Sequence, residues 1–263
     1  MTNMGSENSA SGKRIGVVGG MGPYAGLDLV KKIFDQTLAA RDQDHLDVIL
    51  LSTPHVPDRT RFLLENSGEN PAYAIVQVLQ ALEFSGAVVA GIPCNTAHSP
   101  RILDVVRHEL GAAKNKIQLL SIIDETLRHL REGFPTLKRV GVLSTTGALK
   151  TKVYSDPLRR DGFEVVEPGE VLQADCVQKA IYDTRYGIKA QSNPVTSQAR
   201  SDILRALRFL ADQGAEVVVL GCTELPIAIP ESAMFGVPLV DPTLLLARAL
   251  IRETYPKKLK PHN

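Results

Sequence analysis

The feature that most constrains this chain is the repetition of one unit. Lys13-Arg14-Ile15-Gly16-Val17-Val18-Gly19-Gly20-Met21-Gly22 is matched almost position by position by Lys138-Arg139-Val140-Gly141-Val142-Leu143-Ser144-Thr145-Thr146-Gly147. Gly86-Ala87-Val88-Val89-Ala90-Gly91-Ile92-Pro93-Cys94 is matched by Gly214-Ala215-Glu216-Val217-Val218-Val219-Leu220-Gly221-Cys222. A third pair, Ile122-Ile123-Asp124-Glu125-Thr126 and Leu239-Val240-Asp241-Pro242-Thr243, follows the two cysteine stretches. Matched landmarks in one order describe an internal duplication, and a repeat outranks any local reading of a segment.

Within each copy, short apolar runs alternate with amphipathic stretches. The spacing predicts strands at 13–18, 46–52, 87–92 and 117–123, with helices over 24–41, 73–85, 100–110 and 124–131. Asp124 reads as an N-cap, as does Asp241. The second copy predicts helices over 149–161, 172–182, 197–213 and 243–255, with strands at 138–144, 164–166 and 217–221. Two long polar segments, 53–71 (with room for a short helix) and 184–195, read as loops, and loops of that length are usually functional. Such alternation implies parallel sheets with right-handed crossovers. The expected fold is therefore α/β, with two pseudo-twofold-related, flavodoxin-like parallel-sheet domains and an active site in the cleft between them. The expected limits are a disordered tail over 1–12, a first domain over 13–120 plus 235–263, and a second over 121–234.

The duplication puts a cysteine at the carboxyl end of an equivalent strand in each copy, where open α/β sheets place their ligands. A thiol titrates near pH 8.5, and a helix N-terminus or a cation lowers that value. Two opposed thiols, one ionised and one protonated, can take a proton from one face of a carbon and return one to the other. A single cysteine would tend to return the proton to the same face. Cys176 has no counterpart in the other copy and reads as a core residue.

Composition excludes several other classes. The 263 residues carry a net charge of +1, lack Trp and contain 5% aromatics, so nothing favours a nucleic-acid partner. No apolar run approaches the ~18–20 residues that span a bilayer. Three widely spaced cysteines form neither a disulfide framework nor a zinc pattern, which points to a reducing cytoplasm.

Gly19-Gly20-Met21-Gly22-Pro23, Pro93-Cys94-Asn95-Thr96-Ala97-His98 and Gly221-Cys222-Thr223-Glu224-Leu225 together resemble the aspartate/glutamate racemase family. These enzymes racemise amino acids without pyridoxal phosphate. The resemblance runs from Lys13 to about Thr254. It implies Cys94 and Cys222 as the two catalytic bases, a free amino acid as substrate (aspartate first), no metal or organic cofactor, and a homodimer. Pro57-Asp58-Arg59-Thr60 resembles the family's arginine loop, so Arg59 would grip a substrate carboxylate. Gly187-Ile188-Lys189-Ala190 resembles a lysine segment, which would bring Lys189 to a carboxylate from the other side.

Met21, Asn95, Thr96, Thr145, Thr146, Thr223 and Glu224 complete the substrate contacts that the resemblance implies. His98 and Glu224 either tune thiol ionisation or are hydrogen-bonded structural groups. A nucleotide loop is disfavoured at Gly19–Pro23, because neither Gly-x-Gly-x-x-Gly nor Gly-Lys-Ser/Thr spacing is present. The alternatives are a glutamate or broad-specificity racemase, a decarboxylase or maleate isomerase of the same superfamily, and a catalytically silent amino-acid-binding protein.

Overall fold

The computed structural model describes residues 12–65 and 68–261. The expected tail over 1–12 lies, apart from Gly12, outside the described residues. The first unit contains β1 (Arg14–Gly19), α1 (Pro23–Asp35), β2 (Val48–Ser52), α2 (Arg59–Glu65), α3 (Pro71–Phe84), β3 (Ala87–Gly91), α4 (Pro100–Ala112), β4 (Gln118–Leu120) and α5 (Ile122–Gly133). The second contains β5 (Arg139–Ser144), α6 (Thr146–Lys150), α7 (Ser155–Arg160) and β6 (Glu164–Val166). There follow α8 (Glu170–Leu172), which continues through a π-helical turn (Gln173–Gln178) into α9 (Lys179–Tyr182), then α10 (Ser197–Asp212), β7 (Val217–Gly221), α11 (Leu225–Ala228), β8 (Ala233–Met234), β9 (Val237–Val240) and α12 (Pro242–Thr254).

The duplication is visible in the strand order. The first sheet runs β2-β1-β3-β4, and the second runs β6-β5-β7-β9-β8. Every pairing is parallel except β8 with β9. Without the added β8 edge, the two orders superimpose element for element. Each cysteine strand, β3 or β7, is an interior strand, buried throughout except at Val88, which is why its sequence is continuously apolar.

Alternate residues of one strand enter different cores. Ile15, Val17 and Val89 join Val140, Val142, Val217 and Val219 in a core common to both units. Val18, Ala90 and Ile92 face a separate core with Ile75, Leu79 and Ile102. Leu143, Val218 and Leu220 face a third with Val177, Ile181 and Ile203. The shared core is threaded by α12, in which Leu246, Ala247, Ala249, Leu250 and Ile251 are wholly buried. A helix apolar on so many sides belongs inside a protein. Each such Leu or Ile contributes about 1.5–3 kcal/mol. Helix α12 packs against α1, α5 and β3, and it also reaches β7.

Several boundaries differ from those read in the sequence. A limit at 235 assigns β9 to the first unit, yet Val218 pairs with Leu239 and Val219 with Val240, so β9 belongs to the second sheet. The apolar run 117–123 is not one strand: β4 ends at Leu120 and α5 starts at Ile122. Burial alone does not separate a strand from the first turn of a buried helix. The cap of α5 is consequently Ser121, whose hydroxyl accepts from the Asp124 N–H at 3.2 Å, and not Asp124 itself. Asp241 does cap α12, accepting from Thr243 and Leu244, while its carboxylate also meets Lys32 at 2.6 Å. The first helix stops at Asp35 rather than 41, because Thr37 turns to pair with Leu259. The expected helix over 149–161 is broken between Lys150 and Ser155, where Lys152 adopts φ +56°.

Candidate active site

Both cysteines stand where the duplicated strands end. Cys222 directly follows β7, and Cys94 follows β3 by the residues Ile92-Pro93 and opens a 3-10 turn over Asn95–His98. They line one cavity together with Met21, Arg59, Asn95, Thr96, Thr145, Tyr182, Lys189, Thr223 and Glu224. The cavity measures about 10 Å³, room for about one water. Outside it lies a vestibule of about 390 Å³, whose walls include Gly20, Pro23, Tyr24, Pro54, Val56 and Ser192. Arg59, Lys189 and Glu224 line both spaces and so stand between them.

The two thiols have different surroundings. The Cys222 thiol donates to Glu224 Oε2 at 3.0 Å, and Lys189 Nζ donates to Glu224 Oε1 at 2.5 Å. Burial first, and then the adjacent Glu224 carboxylate, push the Cys222 thiol well above its ordinary value. Burial would also raise the Glu224 carboxyl, but the Lys189 ammonium and the Cys222 hydrogen bond hold it below the usual range. Cys94, by contrast, shares its side of the cavity with Arg59. Burial works against the Arg59 charge, and the neighbouring Cys94 sulfur and Tyr182 oxygen outweigh that.

The remaining polar groups are mostly donors. Arg59 Nη1 bonds the carbonyls of Val56 (3.2 Å) and Pro57 (3.0 Å), while its buried Nε has no partner among the described residues. Asn95 accepts from Tyr154 Oη at 2.6 Å through Oδ1, and its buried Nδ2 likewise has no partner. The Thr96 and Thr145 hydroxyls meet across the two units at 2.9 Å. Thr223 Oγ1 donates to the Pro93 carbonyl at 3.0 Å, tying the second cysteine turn to the first. An unpaired buried donor is costly, so two of them on residues that line one cavity suit an anionic oxygen ligand. Gly22 lies close against the pair, and a Cβ there would sit 2.8 Å from Glu224 Oε1 and displace that carboxylate.

Ten of the eleven residues expected at the site line the cavity. Thr146 is the exception. Its N–H donates to Gln178 Oε1 at 2.9 Å and its hydroxyl accepts from Gln173 Nε2 at 3.3 Å, both from the π-helical turn. Lys189 lies in the cavity but is already paired with Glu224, and its ammonium sits 5.4 Å from the Tyr182 ring centre. Tyr182, which bonds Thr60 across the cleft at 3.3 Å, gave no sequence signal because it reads as the last core position of a helix. Cys176 is 1% exposed in the third core, and its sulfur accepts from Arg205 Nη2 at 2.6 Å. Among the described residues, no three His, Cys, Asp or Glu side chains gather closely enough to hold a metal ion, and no helix is long and apolar enough to cross a membrane.

His98 touches the backbone of Cys94 rather than its sulfur. Its Nδ1 meets the Cys94 carbonyl at 3.0 Å, and its Nε2 accepts from the Ile122 N–H at 3.4 Å. Burial lowers its pKa to about 4. The unfolded chain therefore binds this proton more readily, and the stability from a neutral His98 is full above about pH 6.5 and is lost as pH falls toward about 4. The loss reaches about 3 kcal/mol at the acid end of that window. Thermal unfolding of wild type and His98→Gln from pH 7 to 4 should show a shallower decline in the variant; parallel slopes would refute this account.

Two α/β units each bring one thiol to a shared, donor-rich cavity. The sequence from 18 to 250 matches the model of the Asp/Glu/hydantoin racemase family, and the chain belongs to that family. It is 27% identical over 243 residues to the broad specificity amino-acid racemase RacX of Bacillus subtilis, covering 90% of this chain and 96% of that protein. Its structure is similar to that of Picrophilus torridus aspartate racemase, with a TM-score of 0.77 and 29% identity over 92% of this chain and 94% of the other. A Francisella tularensis glutamate racemase in complex with D-glutamate shares the fold, with a TM-score of 0.62 and 19% identity over 95% and 84% of the chains.

Proposed function

We propose that the protein is an amino acid racemase that transfers the α-proton between Cys94 and Cys222 without a cofactor. The observation that carries this reading is the convergence of one thiol from each unit on a single cavity with unpaired donors at Arg59 Nε and Asn95 Nδ2. The α-carboxylate meets Asn95 and the Thr96 and Thr145 hydroxyls. The Cys94 sulfur, as thiolate beside Arg59, takes the α-proton. The electron pair of the broken C–H bond spreads into the α-carboxylate, where fixed donors stabilise it. The Cys222 S–H bond then breaks and its proton forms the new C–H bond on the other face. Glu224 accepts the hydrogen bond of that proton in the resting state, and the Lys189 ammonium stays beside the carboxylate and the new thiolate after its transfer.

Aspartate is the first substrate of this reading, with Arg59 and Lys189 on its carboxylates, and the likeness to the P. torridus enzyme supports it. One observation favours a second reading. Lys189 is already neutralised by Glu224, and the adjoining vestibule offers Pro23, Pro54 and Val56 to an uncharged side chain. That arrangement suits a broader range of amino acids, in keeping with the likeness to the B. subtilis protein. Incubation with each L- and D-amino acid in deuterated water separates these readings. Racemisation gives α-deuterium with loss of optical activity. A melting shift without exchange at any amino acid would reject the enzyme in favour of a binding protein.

The same reading makes the enzyme a cytoplasmic homodimer. Opposite its buried face (Ala25, Leu29, Ile33), α1 exposes Tyr24, Leu27 and Phe34 beside the charged pair Lys31 and Asp35. A second copy in antiparallel contact would cover the apolar side chains and cross-pair the charges. Leu27→Glu is expected to halve the sedimenting mass; a wild type that sediments as a monomer at micromolar concentration would exclude the dimer.

A further inference from the structure

Tyr154 belongs to none of the cysteine motifs, yet it touches both. It is 2% exposed and sits in the break between α6 and α7. The left-handed Lys152 and the Val153 N–H bond to the Ala148 carbonyl (3.1 Å) close α6 and turn Tyr154 inward. Burial keeps its hydroxyl protonated, so the group donates. It donates to Asn95 Oδ1 at 2.6 Å, in the turn of Cys94 and in the opposite unit. At the other end, its ring lies against Gly221, the residue before Cys222. A Cβ at 221 would lie 2.9 Å from Tyr154 Cε2 and 3.0 Å from the Leu143 carbonyl oxygen. Gly221 therefore leaves room for the ring.

An amide whose Oδ1 is held by the Tyr154 hydroxyl turns its nitrogen away from that hydroxyl, although Oδ1 keeps a second lone pair. The bond from Tyr154 thus fixes which end of Asn95 serves the cavity. The Nδ2 atom, buried and without a partner among the described residues, is the donor left for the ligand. Without the tyrosine hydroxyl the Asn95 amide can flip and present an acceptor to a carboxylate.

We propose that Tyr154 is a positioning residue of the racemase. Through its hydroxyl it aims the Asn95 amide nitrogen at the substrate carboxylate, and through its ring it sets the Cys94 turn against the Cys222 turn. This inference rests on the amino acid racemase reading above. It adds a residue that acts through Asn95 without touching substrate.

The test is a double-mutant cycle on the full chain. Tyr154→Phe keeps the ring on Gly221 and removes only the hydroxyl. It is expected to lower kcat/KM about tenfold, chiefly by raising KM, as for loss of one hydrogen bond to a charged group. In an Asn95→Ala background the same change should cost less than about twofold, because the group it orients is gone. Asn95→Asp supplies a second variant, which keeps an acceptor for Tyr154 but offers the cavity no donor. It should lose activity as Asn95→Ala does.

The substrate is the amino acid turned over fastest in the deuterium screen. If wild type turns over none, racemisation fails as a reading, and the cycle is read from the calorimetric Kd of L-aspartate, with the same ratios expected. Overturning results are a Tyr154→Phe enzyme within twofold of wild type in kcat/KM and Kd, a full independent loss in the Asn95→Ala background, or an Asn95→Asp variant that retains wild-type KM. A fall in melting temperature with KM unchanged would likewise leave Tyr154 a core residue only.

Discussion

Alanine at either Cys94 or Cys222 is expected to reduce racemisation by about 10³-fold, the scale of a lost general acid or base. Each variant removes the only thiol that its unit brings to the cavity. Stability should change little by comparison, since Cys→Ala deletes one small buried atom at a site already bordered by a cavity. The two variants should differ in exchange. With Cys222→Ala, the base assigned to Cys94 is still present, so slow wash-in of deuterium into one enantiomer without inversion is expected. With Cys94→Ala, the remaining thiol is the one held protonated beside Glu224, and exchange at either enantiomer should fall further. Near-native racemisation by either variant would end the two-thiol mechanism.

Glu224→Gln has the next largest effect, on stability as well as catalysis. It leaves the Lys189 ammonium without its anion. Removing one partner of a buried ion pair strands the other charge. Lys189 keeps 23% side-chain exposure against 4% for Glu224, so the expected cost is about 3 kcal/mol, the low end for buried pairs. For a chain of this length that is about 6–12 °C in Tm. Adding Lys189→Met should restore most of it. The same substitution removes a carboxylate that raises the Cys222 thiol, so alkylation of Cys222 at neutral pH should quicken while that of Cys94 changes little. Mass-spectrometric counting of iodoacetamide adducts reads both sites at once. An unchanged Cys222 rate with an unchanged Tm would mean that the Lys189–Glu224–Cys222 chain does not form in solution.

The architecture was legible in the chain because a duplication leaves marks in the residue pattern itself. Matched runs at Lys13 and Lys138, and at Gly86 and Gly214, required two similar parallel sheets, and the two strand orders agree. The same repetition put Cys94 and Cys222 at the carboxyl ends of equivalent strands. Strand ends, glycine turns and alternation are local properties, and local chemistry writes them into the chain. Exact element ends were less legible. At 117–123 one apolar run serves a strand and the buried first turn of α5, and burial looks the same in both.

The partner of each polar residue is set by packing between distant segments. Thr146 and Thr145 are neighbours in sequence, yet the π-helical turn takes Thr146 away while Thr145 meets Thr96 from the other unit. Lys189 and Glu224 lie 35 residues apart and neutralise one another, which changes a carboxylate clamp into a balanced pair. Tyr182 and Tyr154 carried no motif at all. Their roles come from packing between units, where a side chain's partner is set by the fold and its charge by the burial that the fold imposes.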